Sequence, residues 1–318
     1  MTTTAPAQSG PEASSDGEFR RQGNRFTDRI TTGAADGWPV QAGRYRLVWS
    51  RACPWAHRAR IVLGLLGLDD VISLATVDPI RDDRGWRFTL DPGGRDPVLD
   101  IAYLSAAYLA TDPSYEGRVT VPCIVDVPSG RVVTNDFGQI TLDLSTQWRD
   151  HHRPGAPDLY PEALRHEIDS LNADVYRDVN NGVYRAGFAA SQQAYERAYT
   201  TLWDRLDALE DRLSGQRYLV GDSITEADVR LFTTIVRFDA VYHGLFKCNR
   251  NKITEMPALW GWARDMFQTP GFGDTVDFNQ IRTHYYATQR LINPSGIVPV
   301  GPDLSGWRQP SGRERPGG

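Results

Sequence analysis

Residues 44–67 read RYRLVWSRACPWAHRARIVLGLLG, and this stretch decides how the first half of the chain folds. Residues 45–50 begin with alternating apolar and polar side chains and are interpreted as a β-strand. Apolar residues then recur at helical spacing over residues 61–66, and Gly67 provides a stop signal. The sequence therefore predicts that Cys53 lies where a strand gives way to a helix.

The predicted position of Cys53 favours a reactive thiolate. Pro54 suits the first turn of a helix, so the sulfur would meet unpaired backbone N–H groups and the positive end of the helix dipole. Nearby positive charge also favours the thiolate. Four basic residues lie close in sequence: Arg51, His57, Arg58 and Arg60. The other two cysteines, Cys123 and Cys248, are interpreted as small buried hydrophobic residues.

The residue three positions after Cys53 is Ala56, where a redox pair would have its second cysteine. A disulfide formed at Cys53 therefore has no local cysteine to resolve it. An outside thiol must do so, which indicates chemistry with a small-molecule thiol.

The composition narrows the class of protein. The chain has 318 residues and a net charge of -5, and this mild acidity argues against nucleic acid or an anionic membrane as the main partner. No apolar run approaches the ~20 residues that span a bilayer. Three cysteines do not make a disulfide framework and suit the reducing cytoplasm. The six histidines lack metal-site spacing, so no metal is expected.

The first half of the chain shows the element order β-α-β followed by β-β-α. Strands are predicted at 44–50, 72–77, 121–126 and 131–134, and helices at 55–67 and 136–148. The stretch 78–118 is predicted as a long loop because prolines and glycines break it repeatedly, and insertions of this length are often functional. Residues 41–150 are therefore predicted to form a thioredoxin-like domain with a long insertion.

The second half, residues 162–286, is nearly all helical in character. Helices are predicted at 162–180, 191–213, 225–241 and 257–267. In the second of these helices, six apolar residues between Ala194 and Leu213 form one stripe. The third begins with Thr225 and Asp228 as a capping pair.

Both ends of the chain lack periodicity. Residues 1–40 are predicted as a disordered leader, because their beginning is rich in small and polar residues and has no signal-peptide apolar stretch. Residues 287–318 are punctuated by proline and glycine and are predicted as an extended C-terminal tail.

An α/β thioredoxin-like N-terminal domain followed by an all-α C-terminal domain resembles the glutathione transferase fold. Local motifs resemble one group within that superfamily, the glutathionyl-hydroquinone reductases or xi class. The motifs are SxxCPWAHR at 50–58, GWRF at 85–88, VP at 121–122, NGVYRAGF at 181–188, FKCN at 246–249, HYY at 284–286 and NPxGIVP at 293–299. The resemblance extends from about Gly43 to Pro302.

The resemblance implies a reaction. A hydroquinone that carries glutathione as a thioether is attacked at its sulfur by the Cys53 thiolate, and a second thiol frees the mixed disulfide. Three tyrosines of the family, matching Tyr184, Tyr242 and Tyr285, would protonate the carbon leaving group, since a phenol of pKa about 10 can donate a proton. Tyr286 is the alternative to Tyr285. The family also implies a homodimer.

The resemblance implies thiol-binding residues as well. Trp86 would lie against the bound thiol, or else it simply anchors the long loop. The Val121–Pro122 bond is predicted to be cis, which would expose the Val121 backbone to the amide groups of the thiol. The polar end departs from the family, where a Glu-Ser pair grips glutathione, because Asp136 and Phe137 stand there. The loss of the serine opens the alternative that the thiol is mycothiol.

Two other functions stay open at this point. A conjugating transferase would activate its thiol through a Ser or Tyr hydroxyl, and Cys53 argues against it. A thiol-binding or interaction module could keep the fold and lose the chemistry. The altered Asp136-Phe137 pair favours this module, and the presence of Cys53 with all three tyrosines argues against it.

Overall fold

The computed structural model describes residue 14, residues 16–33 and residues 37–313. The chain divides into two compact units. The thioredoxin-like unit contains the described residues of Gln22–Ala156, and the helical unit contains those of Pro11–Arg21 and Pro157–Gly318.

The thioredoxin-like unit is built on a four-stranded sheet, and a separate pair of two-residue strands precedes it. The strands are β1 (Ile30–Thr31), β2 (Trp38–Pro39), β3 (Tyr45–Trp49), β4 (Ser73–Thr76), β5 (Cys123–Asp126) and β6 (Arg131–Thr134). The sheet order is β4-β3-β5-β6, with β3 and β4 parallel and the other neighbours antiparallel. Val48 pairs with Cys123, so the end of β3 lies beside the start of β5.

Three helices complete this unit: α1 (Pro54–Leu66), α2 (Ser105–Thr111) and α3 (Phe137–Thr146). Together with the sheet they confirm the predicted β-α-β and β-β-α order. The predicted loop at 78–118 was wrong over α2. This helix has only seven residues, too few to show a helical period, and it forms because Ala107 and Tyr108 are buried in the core of the unit.

The helical unit contains six α-helices in the described residues: α4 (Arg165–Val175), α5 (Gly182–Gly187), α6 (Gln192–Gly215), α7 (Glu226–Arg237), α8 (Pro257–Gln268) and α9 (Phe278–Thr288). One π-helical turn, Tyr176–Asn180, follows α4, and another, Phe238–Tyr242, follows α7. The predicted apolar stripe of α6 is buried throughout, which confirms it. Helices α5 and α9 were not predicted.

The predicted disordered leader is wrong over its described residues. Phe19 and Ile30 are buried, and the backbone N–H of Phe26 donates to Asn135 Oδ1 at 3.0 Å. The segment is ordered because its few large apolar side chains each find a place in a core. Residues 1–13, 15 and 34–36 of that prediction lie outside the described residues.

The predicted tail packs against the helical unit where it is described. Trp307 is buried, with its ring 4.7 Å from that of Trp260. The Arg313 guanidinium donates to the Leu213 carbonyl at 2.8 Å, which holds the tail at the end of α6. In the described part of the chain, no helix combines the length and apolarity needed to cross a bilayer.

The predicted cap of α7 is confirmed, and it organises the helical unit. The buried Asp228 carboxylate accepts hydrogen bonds from the backbone N–H groups of Leu219 and Thr225 and from Trp262 Nε1, each at 3.0 Å. One side chain thereby ties α7 to the preceding loop and to α8.

Replacing Asp228 with alanine is expected to lower the free energy of unfolding by about 3 kcal/mol, because three donors are left buried without an acceptor. Denaturant unfolding measures the change. Asp222→Ala, in the exposed loop before the helix, is the matched control and should leave the midpoint in place. Equal stability of the two variants would show that the carboxylate does not anchor α7.

Candidate active site

Cys53 occupies the N-cap position of α1. Its backbone is extended (φ -79°, ψ 119°), and Pro54 is the first residue of the helix. Cys53 is partly exposed, whereas Cys123 and Cys248 are buried and burial raises the pKa of both thiols well above the ordinary value. The prediction of a cysteine at a strand–helix junction is confirmed, and so is the interpretation of the other two as core residues.

The sulfur of Cys53 faces two opposing influences. Its thiol donates to the Val121 carbonyl oxygen across 3.3 Å, and this bond favours the protonated form. The N-terminus of α1 favours the thiolate. The register of β3 with β5 brings Cys53 and Val121 together. The Val121–Pro122 bond is cis, as predicted.

The basic residues expected around Cys53 have partners of their own. Arg60 forms an ion pair with Asp69 at 3.1 Å. The Arg51 guanidinium lies 5.4 Å from the Trp49 ring, and the buried His57 ring stacks on the same indole. The contribution of Arg60 to a thiolate is therefore smaller than the sequence suggested, since an ion pair neutralises much of the field of a cation.

The polar end of the predicted thiol site is the N-terminus of α3. Asp136 caps this helix, with Oδ1 accepting from the backbone N–H groups of Gly138 at 3.1 Å and Gln139 at 3.3 Å. Asn24 Nδ2 donates to the same oxygen at 3.1 Å. One oxygen of the Asp136 carboxylate is thus already hydrogen-bonded to its own helix and to Asn24.

The neighbouring Phe137 belongs to an aromatic group at the start of α1. Its ring centroid is 4.7 Å from that of Trp55, and the buried Arg58 guanidinium lies 4.7 Å from the Trp55 ring and 5.9 Å from Phe137. At the position where the resemblance implies a serine hydroxyl, this chain places an aromatic ring beside a cation.

Trp86 is 4% exposed and belongs to the core cluster of the thioredoxin-like unit, together with Val77 and Leu104. The Arg81 guanidinium lies 5.2 Å from its ring. These contacts fit the alternative in which Trp86 anchors the long insertion. Its contact with a bound thiol stays a prediction.

The three predicted tyrosines of the helical unit form one hydrogen-bonded group, here called the tyrosine cluster (Tyr184, Tyr242 and Tyr285). The Tyr285 hydroxyl is central, 2.5 Å from the Tyr184 hydroxyl and 3.0 Å from the Tyr242 hydroxyl. The backbone of Leu245 acts on Tyr286 instead and opposes the rise that burial causes in its pKa. Tyr285 is therefore the member of the pair that joins the cluster.

Burial makes two of these phenols weak acids. It raises the pKa of Tyr242 and Tyr285 well above the ordinary value, and the neighbouring phenols add to the rise. The fully buried Arg237 guanidinium acts in the opposite direction on both. Both phenols consequently hold their protons at neutral pH and can act as donors.

An aromatic shell that was not predicted supports the cluster. The Phe246 ring stacks on Tyr242 at 5.3 Å and meets Tyr184 edge-on at 5.4 Å. A Cβ at Gly187 would lie 2.3 Å from Phe246, so only glycine allows this packing. Phe246 and Gly187 both lie in motifs of the family resemblance. Those motifs were the signal by which the sequence could have revealed this shell.

The described residues contain no group of three or more His, Cys, Asp and Glu side chains that could hold a metal ion.

Two family models match the chain. The model described as glutathione S-transferase, N-terminal domain matches residues 52–147, and the one described as glutathione S-transferase, C-terminal domain matches residues 192–265.

Individual relatives are similar over nearly the whole chain. Glutathionyl-hydroquinone reductase YqjG of Escherichia coli (strain K12) is 42% identical over 312 residues, which cover 95% of this chain and 94% of that protein. The crystal structure of a glutathione transferase from Gordonia bronchialis is 59% identical with a TM-score of 0.90, covering 91% and 90%. The glutathione-bound structure of YqjG is 40% identical with a TM-score of 0.85, covering 91% and 96%.

Proposed function

Because the chain belongs to the glutathionyl-hydroquinone reductases, the xi class of the glutathione transferase superfamily, we propose that it removes a small thiol from thiol-conjugated hydroquinones through a mixed disulfide on Cys53. It is an enzyme of that superfamily. The observation that carries the proposal is the partly exposed Cys53 at the N-terminus of α1.

In the first step the Cys53 thiolate attacks the thioether sulfur of the conjugate. An S–S bond forms and the C–S bond breaks, and its electron pair leaves with the hydroquinone carbon. That carbon takes a proton, which gives the free hydroquinone. Carbon is a poor leaving group, so the proton must be delivered by a positioned acid.

The tyrosine cluster supplies that acid. Tyr285 bonds to both other hydroxyls, so a proton lost from one phenol can be shared along the group. Arg237 stabilises the negative charge that the cluster then carries, since its positive charge opposes the rise that burial causes in the pKa of Tyr242 and Tyr285.

In the second step another thiolate attacks the mixed disulfide, departs as the low-molecular-weight disulfide and restores Cys53. Overall, one conjugate and one thiol give one hydroquinone and one disulfide. In the free protein the Val121 carbonyl accepts a hydrogen bond from the Cys53 thiol. In the complex, an amide N–H of the bound thiol would donate to this carbonyl instead. Binding of the thiol would thereby remove one contact that favours the protonated form of Cys53.

The identity of the thiol separates two versions of this proposal. The structure of YqjG contains glutathione, which supports glutathione for this chain. The aromatic pair of Phe137 and Trp55 supports mycothiol, because the family's serine hydroxyl is absent. We favour glutathione as the co-substrate, and mycothiol is the second candidate.

Replacing Phe137 with serine is expected to tighten glutathione binding by about threefold to tenfold, which is the value of one added hydrogen bond. Calorimetric titration with glutathione and with mycothiol measures it. Phe137→Ala is the control, since it removes the ring without adding a hydroxyl. Mycothiol binding that is tight in the wild type and weakened in both variants would replace glutathione with mycothiol.

The reductase itself is tested by incubating the protein with a glutathionylated hydroquinone and measuring released hydroquinone. Release that depends on added thiol supports the proposal. No release with either thiol, from a protein that remains folded, would favour the binding module. The homodimer and the cytoplasmic location expected above stay predictions.

A further inference from the structure

The predicted leader supplies a segment to the tyrosine cluster, here called the N-terminal arm (residues 16–21). The backbone of the arm is fixed at Gly17, whose carbonyl accepts from the Ala190 N–H at 2.9 Å. Glu18 holds it from the side through an ion pair with Arg197 at 3.0 Å. The arm is therefore an anchored part of the helical unit.

Two side chains of the arm contact Tyr184 directly. The buried Phe19 ring stacks on it with centroids 6.3 Å apart. The Arg21 guanidinium carbon lies over the same ring, 4.6 Å from its centroid. Arg21 Nε donates to Asn181 Oδ1 at 3.0 Å, and α5 begins one residue after Asn181. The helix that carries Tyr184 thus also holds the cation over it.

A fixed cation at this distance makes it easier for a phenol to lose its proton. Positive charge within about 4–6 Å favours the ionised form of an acid, and a guanidinium over an aromatic face is attracted to it. We propose that Arg21 is a positioning residue of the reductase, whose charge stabilises Tyr184 when the tyrosine cluster gives up a proton. The inference rests on the proposed function and adds a residue that the predicted site did not contain.

Other ionisable side chains lie on the arm and on the elements that carry or adjoin the cluster. They are Glu18 and Arg20 on the arm, Arg185 on α5, Arg197 on α6, Arg237 on α7, Asp239 on the π-helical turn that contains Tyr242, and His284 on α9. Glu18 is paired with Arg197, and Asp239 accepts from the Ile253 N–H at 2.7 Å, so both carboxylates have partners away from the ring. Arg21 makes the face contact with Tyr184.

The kinetic test compares Arg21→Met with Arg21→Lys. Loss of the charge should lower kcat for the conjugated hydroquinone about tenfold with little change in KM, and lysine should recover most of the loss. Arg20→Met is the matched control, because Arg20 is the exposed neighbour with the same charge, and its kcat should equal that of the wild type. Exchange of Cys53 with a simple disulfide should be unchanged in all three variants.

A second readout needs no turnover. In protein labelled with 3-fluorotyrosine, the fluorine resonance of Tyr184 is identified by its loss in Tyr184→Phe, and its pH titration gives the ionisation midpoint. Arg21→Met should raise that midpoint by about half to one pH unit, and Arg20→Met should leave it in place. Circular dichroism checks that each variant is folded.

The possible outcomes test the role of Arg21 and the proposed reductase function separately. An unchanged midpoint in Arg21→Met, or an equal loss of kcat in Arg21→Lys and Arg21→Met, overturns the role of Arg21. If the wild type releases no hydroquinone, the proposed function falls and the catalytic role of Arg21 falls with it. A shifted midpoint would then leave the electrostatic coupling of Arg21 to Tyr184 standing by itself.

Discussion

Replacing Cys53 with serine is expected to lower the rate of hydroquinone release from a glutathione conjugate by at least about a thousandfold. A hydroxyl is a far weaker nucleophile toward sulfur than a thiolate and cannot form the mixed disulfide. Hydroquinone release measured by absorbance or chromatography, with excess thiol, gives the rate for both proteins.

Cys123→Ala is the control for this prediction, because it removes a thiol of the same unit that is buried and held protonated. It should release hydroquinone at the wild-type rate. Activity that survives in Cys53→Ser would exclude the proposed mechanism. It would favour a conjugating transferase that activates its thiol through a hydroxyl.

Replacing Tyr285 with phenylalanine is expected to lower kcat for the conjugate by about 10²–10⁴-fold. This hydroxyl is the one that bonds both other phenols, so its loss breaks the cluster in two places. Mixed-disulfide exchange on a simple disulfide should remain within about twofold of the wild type, because a thiolate leaving group needs no proton from a phenol.

Tyr286→Phe is the matched control, since this neighbour interacts with the Leu245 backbone and lies outside the cluster. It should retain both activities. Equal losses of reduction and exchange in Tyr285→Phe would show that Tyr285 acts through folding. Tyr184→Phe and Tyr242→Phe each remove one bond of the cluster, and smaller losses are expected from them.

The thioredoxin-like unit could be predicted well because local signals agree there. The apolar residues of β3, the proline after Cys53 and the glycine after α1 each mark an element or boundary that the structure contains. Helix α2 escaped because it is a seven-residue helix between proline-rich and glycine-rich stretches, where periodicity has too few residues to register.

In the helical unit, the sequence did not predict the helices that carry Tyr184 and Tyr285. Helix α5, which carries Tyr184, is six residues long with glycine at both ends, and α9, which carries Tyr285, is rich in polar residues. A π-helical turn precedes the first and another contains Tyr242, and such turns break the helical period. Family motifs located these tyrosines where periodicity could not.

The N-terminal arm could not be predicted from composition. Its Phe19 and Arg21 are isolated in a polar stretch, and their role depends on a partner far along the chain, Tyr184. A contact between residues more than 160 positions apart leaves no local pattern. Composition therefore indicated disorder where long-range packing produces order.

Mass spectrometry of the intact protein after a single turnover tests the central claim most directly. The protein is mixed with one equivalent of glutathionylated hydroquinone and no other thiol. The account predicts one glutathione bound as a disulfide to Cys53, one equivalent of free hydroquinone, and loss of the adduct on adding a reductant. Hydroquinone released from protein that carries no adduct, or an adduct on another residue, would contradict it.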